Sequence, residues 1–174
     1  AGGVTQIMIG AGGMGLDAEA NQLATGKFRR VPGLLKYVTA ALAAVATSQP
    51  LRVTAEIDDA RWQGALLLAA VANCPTYGAG FHIAPAARMD DGWMNLTFVE
   101  DLPWARILEA LLVLLRNGDL RWPEIHRFRA RRVRLSADRP SPFHGDGEIL
   151  GQAPMEIEVL PKAVRVIAPS QSAQ

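Results

Sequence analysis

Apolar and charged residues alternate with a period of two in several segments of this sequence, and this alternation constrains the fold more than any other feature. In RRVRLSAD, residues 131–138, Val133 and Leu135 lie between charged or polar neighbours, and PMEIEVLP, residues 154–161, repeats the pattern. A period of two is typical of a strand with one buried face, so both segments predict half-buried antiparallel strands. Further strands are predicted before Gly10, in residues 51–58, 93–100 and 163–169, and in the apolar run within 62–74, for which a buried helix is the alternative.

Helical periodicity is confined to fewer segments. Pro32–Ala46 has a proline in its first turn, and residues 102–119 place apolar residues on one side before ending at Asn117 and Gly118. A short helix is predicted after Leu16. Many strands with few helices between them predict a mainly β fold, an antiparallel β-sandwich with two or three helices, rather than a doubly wound parallel sheet. We expect one domain over residues 1–168 and a disordered tail over residues 169–174.

The composition argues against several classes of protein. The 18 Lys and Arg residues nearly balance the 17 Asp and Glu residues, so no overall charge favours nucleic acid. One cysteine, Cys74, excludes an internal disulfide framework and a cysteine-rich zinc site. No signal peptide is recognisable, and the longest nearly uncharged stretch, residues 34–46, is shorter than the roughly 20 residues that span a bilayer. A cytoplasmic location is therefore predicted.

Gly10, Gly12 and Gly15 have the spacing G-x-G-x-x-G of a dinucleotide-binding loop. Such a loop requires a second strand that ends in an acidic residue about 20 residues later. No acidic residue lies between Glu19 and Glu56, and the intervening stretch predicts loop and helix instead. We therefore interpret the glycines as a tight strand exit with a crowded backbone, and a dinucleotide oxidoreductase as the weakest functional hypothesis.

Three sequence segments accompany these glycines in a fixed order: GLDAEAN at 15–21, NCPTYGAGFHIAPAARMDDGWMNL at 73–96, and FHGDGEILGQAPMEIEVLP at 143–161. Together they resemble the C-terminal domain of the diacylglycerol and sphingosine kinase family of lipid kinases, in particular its soluble bacterial members. The resemblance extends from about Ile7 to about Val166. It implies a β-sandwich that closes the active-site cleft, with ATP held mainly by an N-terminal nucleotide-binding domain that this sequence lacks.

Asp146 and Glu148 are the candidate catalytic residues. Phosphoryl transfer to a hydroxyl requires a carboxylate near the nucleophile and positive charge near the phosphates. On an extended strand, two acids separated by one residue point the same way, so this pair could face one cleft and hold a hydroxyl or Mg²⁺. The resemblance assigns the same pair catalytic and magnesium-linked roles. The alternative is a solvated Asp-Gly hairpin turn.

A second acidic turn, RMDDGWMN at residues 88–95, predicts a structural Mg²⁺ site, because hard cations bind carboxylate and carbonyl oxygens. By resemblance, the ligands are the Asp91 side chain and the main-chain carbonyls of Arg88 and Trp93. An ordinary turn, in which Asp90 and Asp91 hydrogen-bond their own backbone, is an equally supported alternative.

Substrate contacts are expected at Asp17, Glu19 and Asn73. In related lipid kinases an acid in the segment after the glycines contacts the polar head of the lipid, and Glu19 aligns with it better than Asp17. Stabilisation of a helix N-terminus by these two acids is the alternative. Asn73 begins a glycine-rich turn, residues 73–80, in which Cys74 replaces the glycine usual in the family.

Basic residues indicate a membrane surface as a partner. Lys27, Arg29, Arg30 and Lys36 lie in an acid-free segment next to an apolar helix, a pattern typical of membrane-surface docking. Residues 121–139 contain seven arginines, which we interpret first as a solvated strand face, second as membrane phosphate contacts and third as a nucleic-acid surface. The predicted partners are therefore a lipid of the diacylglycerol or sphingoid class and a peripheral membrane surface, and no nucleic acid.

Two functional hypotheses follow from these observations. The first is the C-terminal half of an ATP- and Mg²⁺-dependent lipid kinase, which supplies the lipid-binding face and the Asp-Gly-Glu acids. The alternative is a stand-alone, non-catalytic lipid- or phosphate-binding module. An in-frame Gly-Gly-Asp-Gly-Thr segment upstream of Ala1 would favour the kinase.

The sequence contains no phosphate-cradling nucleotide loop. We therefore predict that the purified 174-residue chain shows no ATP-dependent phosphorylation of diacylglycerol. The measurement is transfer of radiolabelled phosphate from ATP to lipid, with a complete diacylglycerol kinase as the positive control. Turnover above the protein-free background would contradict the prediction.

Overall fold

The computed structural model describes residues 5–76, 82–115, 120–165 and 167. Within these ranges nine strands and three helices follow one another along the chain. Their bounds are β1 (Ala11–Gly15), α1 (Leu16–Thr25), α2 (Gly33–Thr47), β2 (Leu51–Ile57), β3 (Ala60–Ala72), β4 (Met94–Glu100), α3 (Trp104–Leu115), β5 (Ile125–Ala130), β6 (Arg132–Ala137), β7 (Pro142–Gly145), β8 (Glu148–Gln152) and β9 (Met155–Glu158).

The strand pairings are antiparallel, and β3 organises them. Leu66 of β3 pairs with Leu51 of β2 and with Glu100 of β4, so β2 and β4 lie on opposite edges of β3. Leu68 of β3 pairs with β1 and with β4, so β1 and β2 lie one after the other along the same edge. The sheet therefore divides at β3 into the branches β1-β7-β8 and β2-β6-β9, while β4 continues to β5.

The two branches pack against each other over one hydrophobic core. Phe98 of β4 is fully buried, and its ring centroid lies 5.2 Å from that of Trp62 and 5.5 Å from that of Phe128. In β2, apolar residues point into the core and charged residues point outward, as the period-two pattern requires. Both branches contribute buried side chains: Met14 and Phe143 from one, and Val53, Val133 and Leu135 from the other.

The sheet around β1, β3 and β4 has a second face, which the helices cover. Helix α1 packs against β1, β3 and β7, and α2 contacts both α1 and α3. Several buried residues of this face are small, with Ala11 on β1 and Ala70 and Ala72 on β3, and Ile83 packs against them. A cavity lies between part of this face and the helices.

The fold class predicted from the alternation is confirmed: the chain is a mainly β, antiparallel sandwich with three helices. The predicted strands at 51–58, 93–100, 131–138 and 154–161 correspond to β2, β4, β6 and β9. Residues 62–74 contribute to a strand, β3, and not to a buried helix. The three predicted helices correspond to α1, α2 and α3.

Two expectations about strands are wrong. Residues 5–9 form no strand, and the glycine segment is itself β1, because its backbone pairs with β3 on one side and β7 on the other. Residues 163–165 form no strand, because the chain leaves the sheet after a turn at Pro161 and Lys162. The arginine-rich segment, interpreted as a strand face, contains β5, which pairs with β4, and β6. The predicted tail, Asn117 and Gly118, and residues 77–80 of the predicted glycine-rich turn lie outside the described residues.

Among the described residues, no helix combines the length and the apolar character needed to cross a bilayer.

Candidate functional site

A cavity of about 550 Å³ lies between the second face of the sheet and the helices. Beneath it runs a row of directly paired residues, one from each of five neighbouring strands: His144, Gly13, Ala70, Thr97 and Arg127. Directly paired residues of antiparallel strands project from the same face of the sheet. His144, Thr97 and Arg127 of this row line the cavity, whereas Gly13 and Ala70 lie between them and are not among the described residues that line it.

The walls of the cavity are mainly apolar, and its two carboxylates lie near one end. Side chains of α2, α3 and the strands form the apolar part, among them Leu42, Val45, Leu68, Val99, Ile107 and Leu108. Asp17, His144 and Asp146 line the end beside β1 and β7, whereas Thr97 and Arg127 line the end beside β4 and β5. An apolar concave site with a few convergent polar groups is the usual form of a small-molecule site.

Asp17 and His144 form a buried pair at the end of the cavity beside β1 and β7. The His144 Nε2 atom lies 2.7 Å from Oδ2 of Asp17, and the two side chains are only 4% and 11% exposed. They come from different elements: Asp17 lies in the first turn of α1, where the helix dipole favours a carboxylate, and His144 lies on β7. The fold thus holds a carboxylate at the wall of an apolar cavity and gives it a fixed partner.

The glycines of β1 make room for the carboxylates of this site. A Cβ atom at Gly13 would lie 2.6 Å from Asp17 Oδ2, and one at Gly10 would lie 2.9 Å from Asp146 Oδ1. A Cβ at Gly12 would collide with the main-chain carbonyl of His144 on the neighbouring strand. The crowding expected from the sequence is present, and much of it comes from acidic side chains above the strand.

Asp146 anchors its hairpin to the start of β1. Its carboxylate accepts hydrogen bonds from three consecutive main-chain N–H groups, those of Ile9 at 2.6 Å, Gly10 at 2.9 Å and Ala11 at 3.2 Å. The Asp146 N–H in turn donates to the Ala11 carbonyl at 3.0 Å. Consecutive N–H groups that converge on one anion form a backbone nest, so Asp146 occupies an anion-binding position with its own side chain.

The expectation that Asp146 and Glu148 project together from an extended strand is wrong. Asp146 has φ +52° and Gly147 has φ +92°, so these residues form the turn between β7 and β8, and the alternation of a strand does not apply. Asp146 lines the cavity, whereas Glu148 is exposed at the start of β8. Within the described residues no side-chain hydrogen bond or ion pair of Glu148 is present. The catalytic role of the pair stays a prediction.

The three residues expected to contact the substrate, Asp17, Glu19 and Asn73, lie in different surroundings. Asp17 lines the cavity, whereas Glu19, half-buried on α1, is not among the described residues that line it. Asn73 serves the backbone: its Nδ2 donates to the Ile9 carbonyl at 2.9 Å, and its N–H donates to the Gly10 carbonyl at 2.8 Å. Asp17 is therefore better placed than Glu19 to meet a ligand.

The contacts of the Asp91 turn correspond to the turn alternative. Asp91 Oδ1 accepts a hydrogen bond from the Trp93 N–H at 3.0 Å, and Oδ2 lies 2.8 Å from a guanidinium nitrogen of Arg129. Nearby, a hydrogen bond from the Arg88 guanidinium lowers the pKa of Asp90. No group of three or more acidic, histidine or cysteine side chains in the described residues converges as a metal site would require. A guanidinium neutralises the Asp91 carboxylate in this arrangement. Binding of Mg²⁺ by Asp91 and the carbonyls of Arg88 and Trp93 stays a prediction.

Cys74 lines the cavity. Its Sγ donates a hydrogen bond to the Thr76 carbonyl at 2.8 Å, and burial raises the pKa of the thiol above the ordinary value of 9.0. A raised pKa favours the protonated thiol at neutral pH, and a protonated thiol is a poor nucleophile. As the sole cysteine it is a chemical reporter of this cavity.

His144 is the site residue that the sequence reasoning undervalued. The three histidines show no metal-ligand spacing, and only His144, next to the acidic turn, is a candidate to approach the site. The available signal is its position two residues before an Asp-Gly turn. Strand pairing in that hairpin sets His144 directly opposite Gly13, under α1.

Comparison with known proteins identifies the fold and its relatives. The family described as "YegS C-terminal NAD kinase beta sandwich-like domain" matches residues 10–168. A diacylglycerol kinase of Bacillus subtilis (strain 168) is 24% identical over 169 residues, which cover 97% of this chain and 56% of that protein. The lipid kinase YegS of Escherichia coli (strain K12) is 29% identical over 144 residues, which cover 82% of this chain and 46% of that protein.

A solved structure shows the same fold. The crystal structure of a diacylglycerol kinase from Bacillus anthracis str. Sterne superposes with a TM-score of 0.59 and 14% sequence identity, covering 88% of this chain and 47% of that one. The chain spans about half the length of the curated relatives that it matches.

We predict that Asp146→Ala lowers the free energy of unfolding by about 1–3 kcal/mol, because three main-chain N–H groups lose a charged acceptor. Glu148→Ala is the matched control on the same hairpin, and its effect should stay within about 0.5 kcal/mol. Urea denaturation followed by circular dichroism measures both values. Equal losses of stability in the two variants would contradict the anchoring role of Asp146.

Proposed function

This chain belongs to the family of YegS C-terminal NAD kinase β-sandwich-like domains, and from that premise we propose that it is the lipid-binding domain of an ATP-dependent lipid kinase. The observation that carries the proposal is the shape and chemistry of the cavity of about 550 Å³. Its walls are apolar, and its carboxylates lie at one end. This is the distribution that a lipid with an apolar chain and a hydroxyl-bearing head requires.

In the proposed complex, the apolar chain of the lipid lies between the sheet and helices α2 and α3. Burial of each CH₂ group contributes about 0.8 kcal/mol, so a few methylene groups suffice to set the orientation of the molecule. The head group then lies beside Asp17, whose carboxylate accepts a hydrogen bond from a hydroxyl. A diacylglycerol or a sphingoid lipid carries such a hydroxyl.

We propose that the hairpin at 145–148 divides the remaining work between its two acids. Asp146 is committed to three main-chain N–H groups and positions the hairpin. Glu148 is exposed at the same hairpin and is the carboxylate available to a second domain. ATP and Mg²⁺ would be held mainly by an N-terminal nucleotide-binding domain, and Mg²⁺, when bound, neutralises phosphate charge during transfer.

A non-catalytic lipid-binding module is the second candidate. The observation that favours it is the commitment of the Asp146 carboxylate to the backbone, which leaves the described site with fewer available acids than the sequence predicts. The two candidates share the cavity and differ in the need for a nucleotide-binding domain. Kinase activity that appears only when that domain is joined to this chain would support the first.

We further propose a peripheral membrane contact on the helical side of the cavity. Leu35 and Leu42 are exposed on one face of α2, and Trp104 and Leu112 are exposed on α3, the helix next to it. Exposed apolar surface of this kind marks an interaction site. The loop between α1 and α2 adds positive charge through the expected docking residues Lys27, Arg29 and Arg30, and positive charge favours an anionic lipid surface. Lipid would then enter the cavity from the membrane side.

We predict that Ala41→Trp, which places a large side chain in the cavity, weakens binding of 1,2-dioctanoylglycerol at least tenfold. Ala46→Trp on the exposed side of the same helix is the matched control and should bind as the parent chain does. Isothermal titration calorimetry measures both affinities. A parent chain that binds no lipid, or equal affinities in both variants, would contradict the proposal.

The location of the bound lipid has an independent readout in Cys74. Because burial raises the pKa of this thiol, alkylation by iodoacetamide should accelerate only at alkaline pH, where the thiolate forms. Saturating dioctanoylglycerol should slow that alkylation, since Cys74 lines the cavity. Alkylation that is insensitive to bound lipid would place the lipid elsewhere.

We predict that Leu35→Ser with Trp104→Ser reduces binding to vesicles that contain anionic lipid, because the two substitutions remove apolar surface without changing charge. Leu160→Ser with Met89→Ser, which removes comparably exposed apolar side chains outside these helices, is the control. Co-sedimentation with phosphatidylglycerol vesicles measures the bound fraction. Equal losses in the two double variants would show that the helical surface is not the docking site.

A further inference from the structure

We propose that His144 is a positioning residue for lipid recognition: it fixes the Asp17 carboxylate so that this carboxylate distinguishes a lipid that carries a hydroxyl from one that does not. This inference rests on the proposed function and adds a residue to it. His144 acts through Asp17 and need not contact the lipid.

The first support is the contact itself. The His144 Nε2 atom lies 2.7 Å from Asp17 Oδ2, and with 4% and 11% exposure the two side chains are shielded from water. A carboxylate shielded in this way requires a partner, because a buried charge without one is costly. The His144 imidazole lies at ion-pair distance from it, and pairing of β7 with β1 and β8 fixes the backbone that carries the ring.

The second support is the space around the carboxylate. A Cβ on Gly13 would lie 2.6 Å from Asp17 Oδ2, so the glycine makes the position of this oxygen possible. Gly13 and His144 are directly paired in the sheet. The carboxylate is therefore held by His144 on one strand and lies above the glycine of the next.

Asp17 Oδ2 lies against His144 and above Gly13. We assign the other oxygen, Oδ1, to the hydroxyl of a lipid bound in the cavity. A site built around a buried acceptor rejects an analogue that lacks the donor, because the acceptor then stays desolvated without a partner. Without His144 the carboxylate can rotate. The preference for the hydroxyl lipid then falls, while the affinity that comes from apolar contacts is largely kept.

The experiment compares two lipids that differ in one group. 1,2-Dioctanoylglycerol carries a free hydroxyl, and propane-1,2-diol dioctanoate has the same two chains without it. Calorimetry on the full chain gives the ratio of the two affinities for each protein. We expect the parent chain to prefer the hydroxyl lipid by about tenfold or more, since a hydrogen bond to a charged acceptor is among the stronger kinds.

His144→Leu should reduce this ratio to near one while binding of the hydroxyl-free lipid changes less than about threefold. His144→Gln, whose amide can donate to Asp17, should restore the preference for the hydroxyl lipid. Asp17→Asn, which removes the charge of the acceptor, should reduce that preference. His126→Leu is the matched control, because His126 Nε2 makes a contact of 2.8 Å with Glu100 and neither residue is among the described residues that line the cavity. Its ratio should equal that of the parent chain.

Three results would overturn the inference. The first is an unchanged ratio in His144→Leu, and the second is an equal loss of affinity for both lipids in that variant, which is the signature of a structural role. The third is a reduced ratio in His126→Leu. If the parent chain binds neither lipid, the proposed function fails and this inference fails with it, whereas strong binding without discrimination overturns only the role of His144.

Discussion

The close approach of other groups to strand β1 is the steric constraint on which the rest of this structure depends. Five residues, AGGMG, pair with β3 on one edge and β7 on the other. Gly12 and Gly13 could not be alanine without collision with the β7 backbone or the Asp17 carboxylate. Gly15 has φ +83° and ends the strand where α1 begins. The glycines cost backbone entropy, which the pairing on both edges and the buried Met14 offset.

The same strand explains why one sheet can serve both a core and a cavity. Alternate residues of β1, β3 and β4 point to opposite faces. On one face, Met14, Val71 and Phe98 are large and close the sandwich; on the other, Leu68, Thr97 and Val99 line the cavity that the helices cover. The core and the cavity thus lie on opposite faces of the same strands, so substitutions that alter the cavity floor need not disturb the core.

Much of the fold follows from the sequence, because β2, β6 and β9 alternate in hydrophobicity and the helices have their own periodicity. Strand β1 could not be predicted in this way, because glycine is depleted in strands and the sequence AGGMG shows no hydrophobic period. The site was only partly predictable for a similar reason. Asp146 and Glu148 were expected to share a face because of strand alternation, but positive φ angles at Asp146 and Gly147 form a turn between them. The contact of His144 with Asp17 could not be predicted, because it depends on the register of β7 with β1, and register is a long-range property that local sequence does not specify.

The glycine spacing that resembles a dinucleotide-binding loop has a physical explanation in this fold. In a nucleotide-binding fold, glycines allow phosphate to approach main-chain N–H groups. Here the Asp146 carboxylate accepts hydrogen bonds from the N–H groups of Ile9, Gly10 and Ala11. Its Oδ1 lies above Gly10, where a Cβ atom would be only 2.9 Å away. The anion position is therefore filled from within the chain, and a phosphate would have to displace a side chain that also anchors a hairpin. Similar glycines thus produce different functions, because the residue that supplies the anion lies more than 130 positions away in sequence.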